Sequence, residues 1–137
     1  MPNSFVFVYG SLKRGYYGHA QMDGCRFVAG TRTADPAYTM VAFPWPDAPH
    51  EAYPGLIEGE SFIMGEVYEA PEAIMPRLDE FELEGRDYKR REILLENGMT
   101  AWAYLSINLE AQKVLYQHTR IGFDDSANEF TWLNKAD

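Results

Sequence analysis

Strand-favouring residues run unbroken from Phe5 to Tyr9 and stop at Gly10, the pattern of a buried strand that ends in a tight turn. Glycine there lets the backbone approach a ligand closely, and it frees the amides of Ser11 and Leu12 to point at a partner. Residues 25–32 form the next predicted strand, with Phe27 and Val28 ahead of Gly30, and residues 38–43 the third. Between Phe43 and Gly55 stand Pro44, Pro46, Pro49 and Pro54, interleaved with Trp45, His50 and Tyr53. So many prolines exclude a central strand or a helix. The segment is therefore predicted to be a long loop acting as a lid or pocket wall. Residues 55–60 and 61–69 read as a hairpin or two adjoining strands, and Gly65 inside the second marks a bulge or a close backbone approach.

Helical spacing appears once, over residues 71–81. Pro71 and Glu72 suit a first turn, and Ile74, Leu78 and Phe81 share a face. Pro76 interrupts the pattern, which predicts a short turn, a break near Met75 and a second short helix ending before Gly85. A strand resumes over residues 88–96, Asn97-Gly98 turns it, and residues 100–105 return with Trp102 and Tyr104 on one face and Ala101 and Ala103 on the other. Beyond Ser106 there is a weak helical suggestion at residues 110–116 and then a polar tail. Strands outnumber helices and the connections are short. The predicted class is α+β, a small mixed, mainly antiparallel β-barrel with short flanking helices.

Composition narrows the picture. With 137 residues the chain reads as one domain spanning residues 1–137, able to bury roughly two thirds of the surface its unfolded form exposes. The single Cys25 cannot form an internal disulfide, and the N-terminal segment has neither a basic stretch nor a long apolar one. A cytoplasmic location is expected. No apolar run reaches the ~20 residues of a membrane span, and a net charge of −9 repels nucleic acid and anionic lipid, so neither partner is expected. The tail over residues 117–137 is expected to pack on the barrel or on a partner, which leaves the oligomeric state open.

Candidate chemistry is sparse. Residues 10–15 have the outline of a phosphate loop, but Tyr16 and Tyr17 follow Gly15 where Lys and Ser or Thr are required. Ser11 lacks the elbow motif of a serine nucleophile. His19, His50 and His118 are too scattered to be paired zinc ligands. Cys25 beside Arg26 reads first as a small packed residue and second as a reactive thiol. In the acidic run Asp79, Glu80, Glu82 and Glu84, the first two belong on a solvated helix face. Glu82 differs, because it lies four residues after Leu78 and projects close to the apolar face. A carboxylate held there would be partly desolvated, its pKa would rise, and it could carry protons near neutral pH.

Taken together, Val8-Tyr9-Gly10-Ser11-Leu12-Lys13-Arg14-Gly15, Tyr53-Pro54-Gly55-Leu56, Gly65-Glu66-Val67-Tyr68, Leu78-Asp79-Glu80-Phe81-Glu82 and Tyr88-Lys89-Arg90 resemble the γ-glutamylcyclotransferase family, in its AIG2-like or γ-glutamylamine branch. The resemblance spans residues 5–105 in the family's order. It implies release of a γ-glutamyl group as 5-oxoproline with a free amine or amino acid, a small-molecule γ-glutamyl substrate, and no metal or organic cofactor. It also implies that Tyr9, Gly10, Ser11 and Leu12 bind the substrate, that Tyr88 helps to shape the pocket, and that Glu82 is the catalytic acid/base. Many relatives place the tyrosine four residues after this glutamate, whereas Tyr88 is six residues on. An insertion placed earlier would hand the role to Glu84, but the helix register from Leu78 favours Glu82.

Overall fold

The computed structural model describes residues 3–10, 12–16, 19–45, 48–82, 85, 87–107, 109 and 113–133. Its strands are β1 (Ser4–Val8), β2 (Arg26–Arg32), β3 (Tyr38–Trp45), β4 (Ala48–Glu58), β5 (Phe62–Ala70), β6 (Tyr88–Leu94), β7 (Thr100–Ser106), β8 (Ile121–Asp124) and β9 (Glu129–Trp132). One α-helix, α1 (Met75–Phe81), follows a 3-10 turn at Glu72–Ile74, and a second 3-10 turn covers His19–Met22. Seven strands form the main sheet in the order β6-β7-β1-β5-β9-β8, with β2 also paired to β5; β3 and β4 make a separate two-stranded ribbon. The pairs β1–β7 and β5–β9 are parallel and the others antiparallel. The mixed, mainly antiparallel α+β class is as the sequence predicts. Among the described residues the strands do not close into a barrel; single bridges, Thr33 to Leu95, Tyr38 to Ser61 and Ala42 to Leu115, join what the sheets leave apart.

The opening hydrophobic run is continuous because β1 is covered on both faces. Val6 and Val8 enter one core with Met75, Leu78, Tyr88 and Tyr104. Phe7 and Tyr9 enter the other with Met40, Leu56, Ile63 and Trp132. The alternation predicted for the strand after Asn97-Gly98 sorts in the same way, Tyr104 to the first core and Ala101 and Ala103 to the second. The helix breaks where Pro76 dictates, and Gly98 and Gly85 take φ of +89° and +90°. Gly65 is a site of close approach: a Cβ there would lie 2.5 Å from the Val8 carbonyl oxygen across the β1–β5 pair.

Other expectations fail in whole or in part. Over its described residues the proline-rich segment is not a loop: residues 44–45 end β3 and residues 48–54 belong to β4, which pairs with β3 in register Ala42 to Pro54 and Pro44 to Ala52, while Pro46 lies outside the described residues. Ala42 exchanges both of its backbone hydrogen bonds with Leu115 on its other side, at 2.8 Å each. The Ala42–Pro54 and Pro44–Ala52 pairs are thus the non-hydrogen-bonded ones, where a missing proline N–H breaks no rung. Residues 55–58 consequently pair with β3, so of the two readings for residues 55–69 the adjoining strands, β4 and β5, hold and the hairpin does not. The polar tail contains the β8–β9 hairpin, whose second strand joins β5. No helix in the described residues is long and apolar enough to cross a membrane.

Candidate active site

The loop after β1 is held from three sides. Its own turns are Lys13 N–H to the Gly10 carbonyl and Tyr16 N–H to the Lys13 carbonyl, both 3.1 Å. From β5, the Glu66 carboxylate accepts the Arg14 N–H at 3.0 Å and the Tyr68 hydroxyl at 2.9 Å. From β9, the Trp132 carbonyl accepts the Lys13 ammonium and the Tyr16 hydroxyl, each at 2.8 Å. His19 bonds the Leu12 carbonyl through Nδ1 at 2.9 Å. Lys13 is buried, and burial lowers its pKa, opposed by the Glu66 charge and reinforced by Arg120. Gly10 itself is required by contact: a Cβ would stand 2.4 Å from Cγ of Pro54 on β4. Ser11 lies outside the described residues.

Helix α1 ends against this loop's neighbours. Leu78 is fully buried and anchors the register, so the chain reaches Glu82 as the C-cap, with φ −87°, ψ 0° and its N–H on the Leu78 carbonyl at 3.0 Å. The Glu82 side chain keeps only part of its surface in solvent, and burial pushes its carboxyl up to about 7. Three phenols sense its charge. Burial raises Tyr9, with Glu82 adding to it. Tyr88 is raised by burial and then by Tyr9 and Glu82. Tyr104 is raised by burial and by its bond to Asp79, with Glu82 a smaller contributor. The predicted Tyr9, Glu82 and Tyr88 are thereby brought into one neighbourhood, with Gly10 pressed on Pro54 beside them. Glu84 lies outside the described residues.

The phenol protons are already engaged. Tyr9 donates to the Tyr104 carbonyl at 2.6 Å, Tyr88 to the Pro54 carbonyl, and Tyr104 to Asp79 Oδ1 at 2.6 Å. Asp79 also pairs with Arg90 at 3.4 Å, whose guanidinium lies over the Trp102 ring. Asp79 is therefore not the solvated residue that its helix position suggests, since its partners come from β6 and β7. Lys13, Glu66 and Tyr104 likewise carry contacts that sequence reasoning did not assign. Their signals were present only as neighbours of the motifs, in the residue after Leu12, within Gly65-Glu66, and in the alternation of β7. Cys25 is half-buried and its thiol pKa is raised by burial, which disfavours the thiolate. No metal-sized group of three His, Cys, Asp or Glu occurs among the described residues.

The sequence profile described as "Gamma-glutamyl cyclotransferase, AIG2-like" matches residues 6–122. This chain belongs to that family. A Vibrio cholerae protein named "Putative gamma-glutamylcyclotransferase" is 34% identical over 100 residues, covering 73% of this chain and 79% of the relative. A Methanocaldococcus jannaschii protein of the same description is 36% identical over 109 residues, covering 73% of this chain and 82% of the relative. Among solved structures, an AIG2-like protein from Mus musculus superposes with a TM-score of 0.63 at 20% identity, over 100% of this chain and 90% of the other. Both the loop after β1 and the end of α1 fall inside the matched γ-glutamylcyclotransferase span.

Proposed function

We propose that this protein converts a γ-glutamyl amine or γ-glutamyl dipeptide into 5-oxoproline and a free amine or amino acid, with Glu82 as the proton carrier. The observation that carries the reading is the Glu82 carboxyl, pushed by burial up to about 7 at the end of α1 in a chain of this family. A group with that pKa is present in both protonation states near neutral pH, which is what alternating acid and base work requires. The substrate's own α-amine is the nucleophile. Its nitrogen bonds to the γ-carbonyl carbon and closes a five-membered ring, so proximity is supplied by the substrate and no protein nucleophile is needed. The ammonium first gives up one proton, which frees its lone pair; as the ring closes, Glu82 takes the second proton from the attacking nitrogen and hands it to the departing nitrogen as the old amide bond breaks, and the released amine regains the first. Atoms balance without water.

The tetrahedral intermediate carries an oxyanion, and the backbone of Tyr9, Gly10, Ser11 and Leu12 is the candidate cradle. The contacts of that loop to Glu66 and Trp132 support it, because a donor set stabilises a developing charge best when it is fixed beforehand. Tyr88 supports the site as a wall, its hydroxyl tied to Pro54.

The test is 5-oxoproline release from a panel of γ-glutamyl amines and dipeptides, with Glu82→Gln and Glu84→Gln beside the wild type. Loss of at least roughly a hundredfold in kcat is expected for Glu82→Gln, with Glu84→Gln close to wild type. The reverse outcome would transfer the role to Glu84. No turnover of any panel member by the wild type would leave a binding module that uses the same pocket.

A further inference from the structure

Among the described residues, Ser106 Oγ is the buried side-chain polar atom that has no hydrogen-bond partner. A hydroxyl removed from water without a partner is destabilising, and native proteins keep few such groups, often where a ligand completes them. Its position gives the unpartnered hydroxyl a meaning. Ser106 is the last residue of β7 and stands directly opposite Tyr88 in the β6–β7 register. It lies two residues after Tyr104, on the same face of the strand, the face that packs against α1.

The third neighbour is β4. A Cβ on Gly55 would come within 2.2 Å of Ser106 Oγ and 2.3 Å of the Phe43 ring, so the hydroxyl occupies the space that glycine leaves open at position 55. The preceding residue, Pro54, is the one that accepts the Tyr88 hydroxyl and packs on Gly10. This oxygen therefore lies by two walls of the candidate site, the Tyr53-Pro54-Gly55 segment and the start of β6, and Pro54 links them to Gly10 after β1. The phenols of Tyr9, Tyr88 and Tyr104 spend their protons on protein acceptors. The Ser106 hydroxyl has not spent its own.

We infer that Ser106 is a substrate-binding residue, its hydroxyl donating to an oxygen of the bound γ-glutamyl group, a carboxylate or carbonyl. The inference rests on the proposed function for the identity of the ligand. It deepens that reading by adding a binding residue from the far end of β7, outside every motif of the sequence that points to the family.

Ser106→Ala separates this role from a structural one, because the two predict opposite effects on stability. Removing an unpartnered hydroxyl relieves a desolvation penalty, so the melting temperature should hold or rise. Meanwhile kcat/KM for the best γ-glutamyl substrate should fall roughly tenfold or more, the size expected when a hydrogen bond to a charged acceptor is lost. The affinity for 5-oxoproline and for L-glutamine, measured by titration calorimetry, should weaken in parallel. An unchanged kcat/KM overturns the inference while leaving the function in place. A lower melting temperature with unchanged ligand affinity also overturns it, since it would mark a hydroxyl satisfied by water or protein. Absence of turnover by the wild type overturns the proposed function, and the calorimetric comparison then decides Ser106 alone. Tenfold weaker binding in the variant supports it. Equal binding, or none to either protein, removes it.

Discussion

At the scale of single residues, Glu82 makes a claim about stability as well as about catalysis. Its carboxyl has an ordinary value of 4.5 and is pushed up to about 7 in the folded chain. Between those values the folded state holds more protons than the unfolded one, so stability falls as pH rises through that window. The contribution is fully favourable below pH 4.5 and is lost above pH 7. A shift of this size corresponds to about 3 kcal/mol, less after allowance for the exposed part of the side chain. Glu82→Gln cannot ionise. It should therefore be more stable than wild type by about 1–3 kcal/mol at pH 8, with the two converging near pH 4, in denaturant titrations across that range. Parallel curves at every pH would show a solvated carboxylate and remove the basis for the acid/base role. The spacing from Leu78 singles out this residue, because Glu82 caps the helix that Leu78 anchors and helical geometry alone relates them. Asp79 departs from the solvated helix face for the complementary reason: its hydroxyl partner Tyr104 is on β7, and no helical projection contains a strand that arrives 25 residues later.

Elements were legible where their period was local and obscure where pairing decided them. Strand β1, the broken helix and the Asn97-Gly98 hairpin follow from their own residues. The ribbon β3–β4 does not, because proline is tolerated at residue 54 only by virtue of Ala42 turning its N–H and carbonyl toward Leu115, a contact between segments distant in sequence. The β8–β9 hairpin was hidden by brevity, four residues a strand, with too few alternations to stand out from a polar tail. Packing between elements then makes a prediction about two glycines. Gly65→Ala drives a Cβ onto the Val8 carbonyl at 2.5 Å, and backbone in the middle of a sheet cannot yield cheaply, so a loss of roughly 2–4 kcal/mol is expected. Gly10→Ala meets Cγ of the Pro54 ring at 2.4 Å, a side-chain atom on β4 rather than the backbone of a strand paired with β1. It should lose less stability, and kcat/KM should fall more than the melting temperature foretells, because the loop and the Tyr53-Pro54-Gly55 segment separate. Paired melting curves and 5-oxoproline assays on both variants decide this. An activity loss in Gly10→Ala that merely tracks its stability would count against the loop as a cradle.

Across the whole molecule, the end of the described chain holds its beginning. Trp132 is fully buried in the core that also contains Phe7 and Tyr9, and β9 runs parallel to β5. That fixes the Trp132 carbonyl under the loop after β1, where two donors from the loop, the Lys13 ammonium and the Tyr16 hydroxyl, share it. Lys13 also lies over the Tyr16 ring, 4.5 Å from its centre. In a chain with a net charge of −9, a buried lysine is used here to join the two ends of the fold rather than to balance the surface. A carbonyl has two lone pairs, so either donor alone can keep it satisfied, and loss of both leaves it buried and orphaned. Lys13→Met and Tyr16→Phe should therefore each be mild, and the double variant should lose more than their sum, with a coupling of roughly 0.5–3 kcal/mol in a double-mutant cycle. The same loss should loosen the cradle, so KM for the γ-glutamyl substrate should rise more in the double variant than in either single one. Additive stabilities and an unchanged KM would show that the C-terminal hairpin covers the core without positioning the loop.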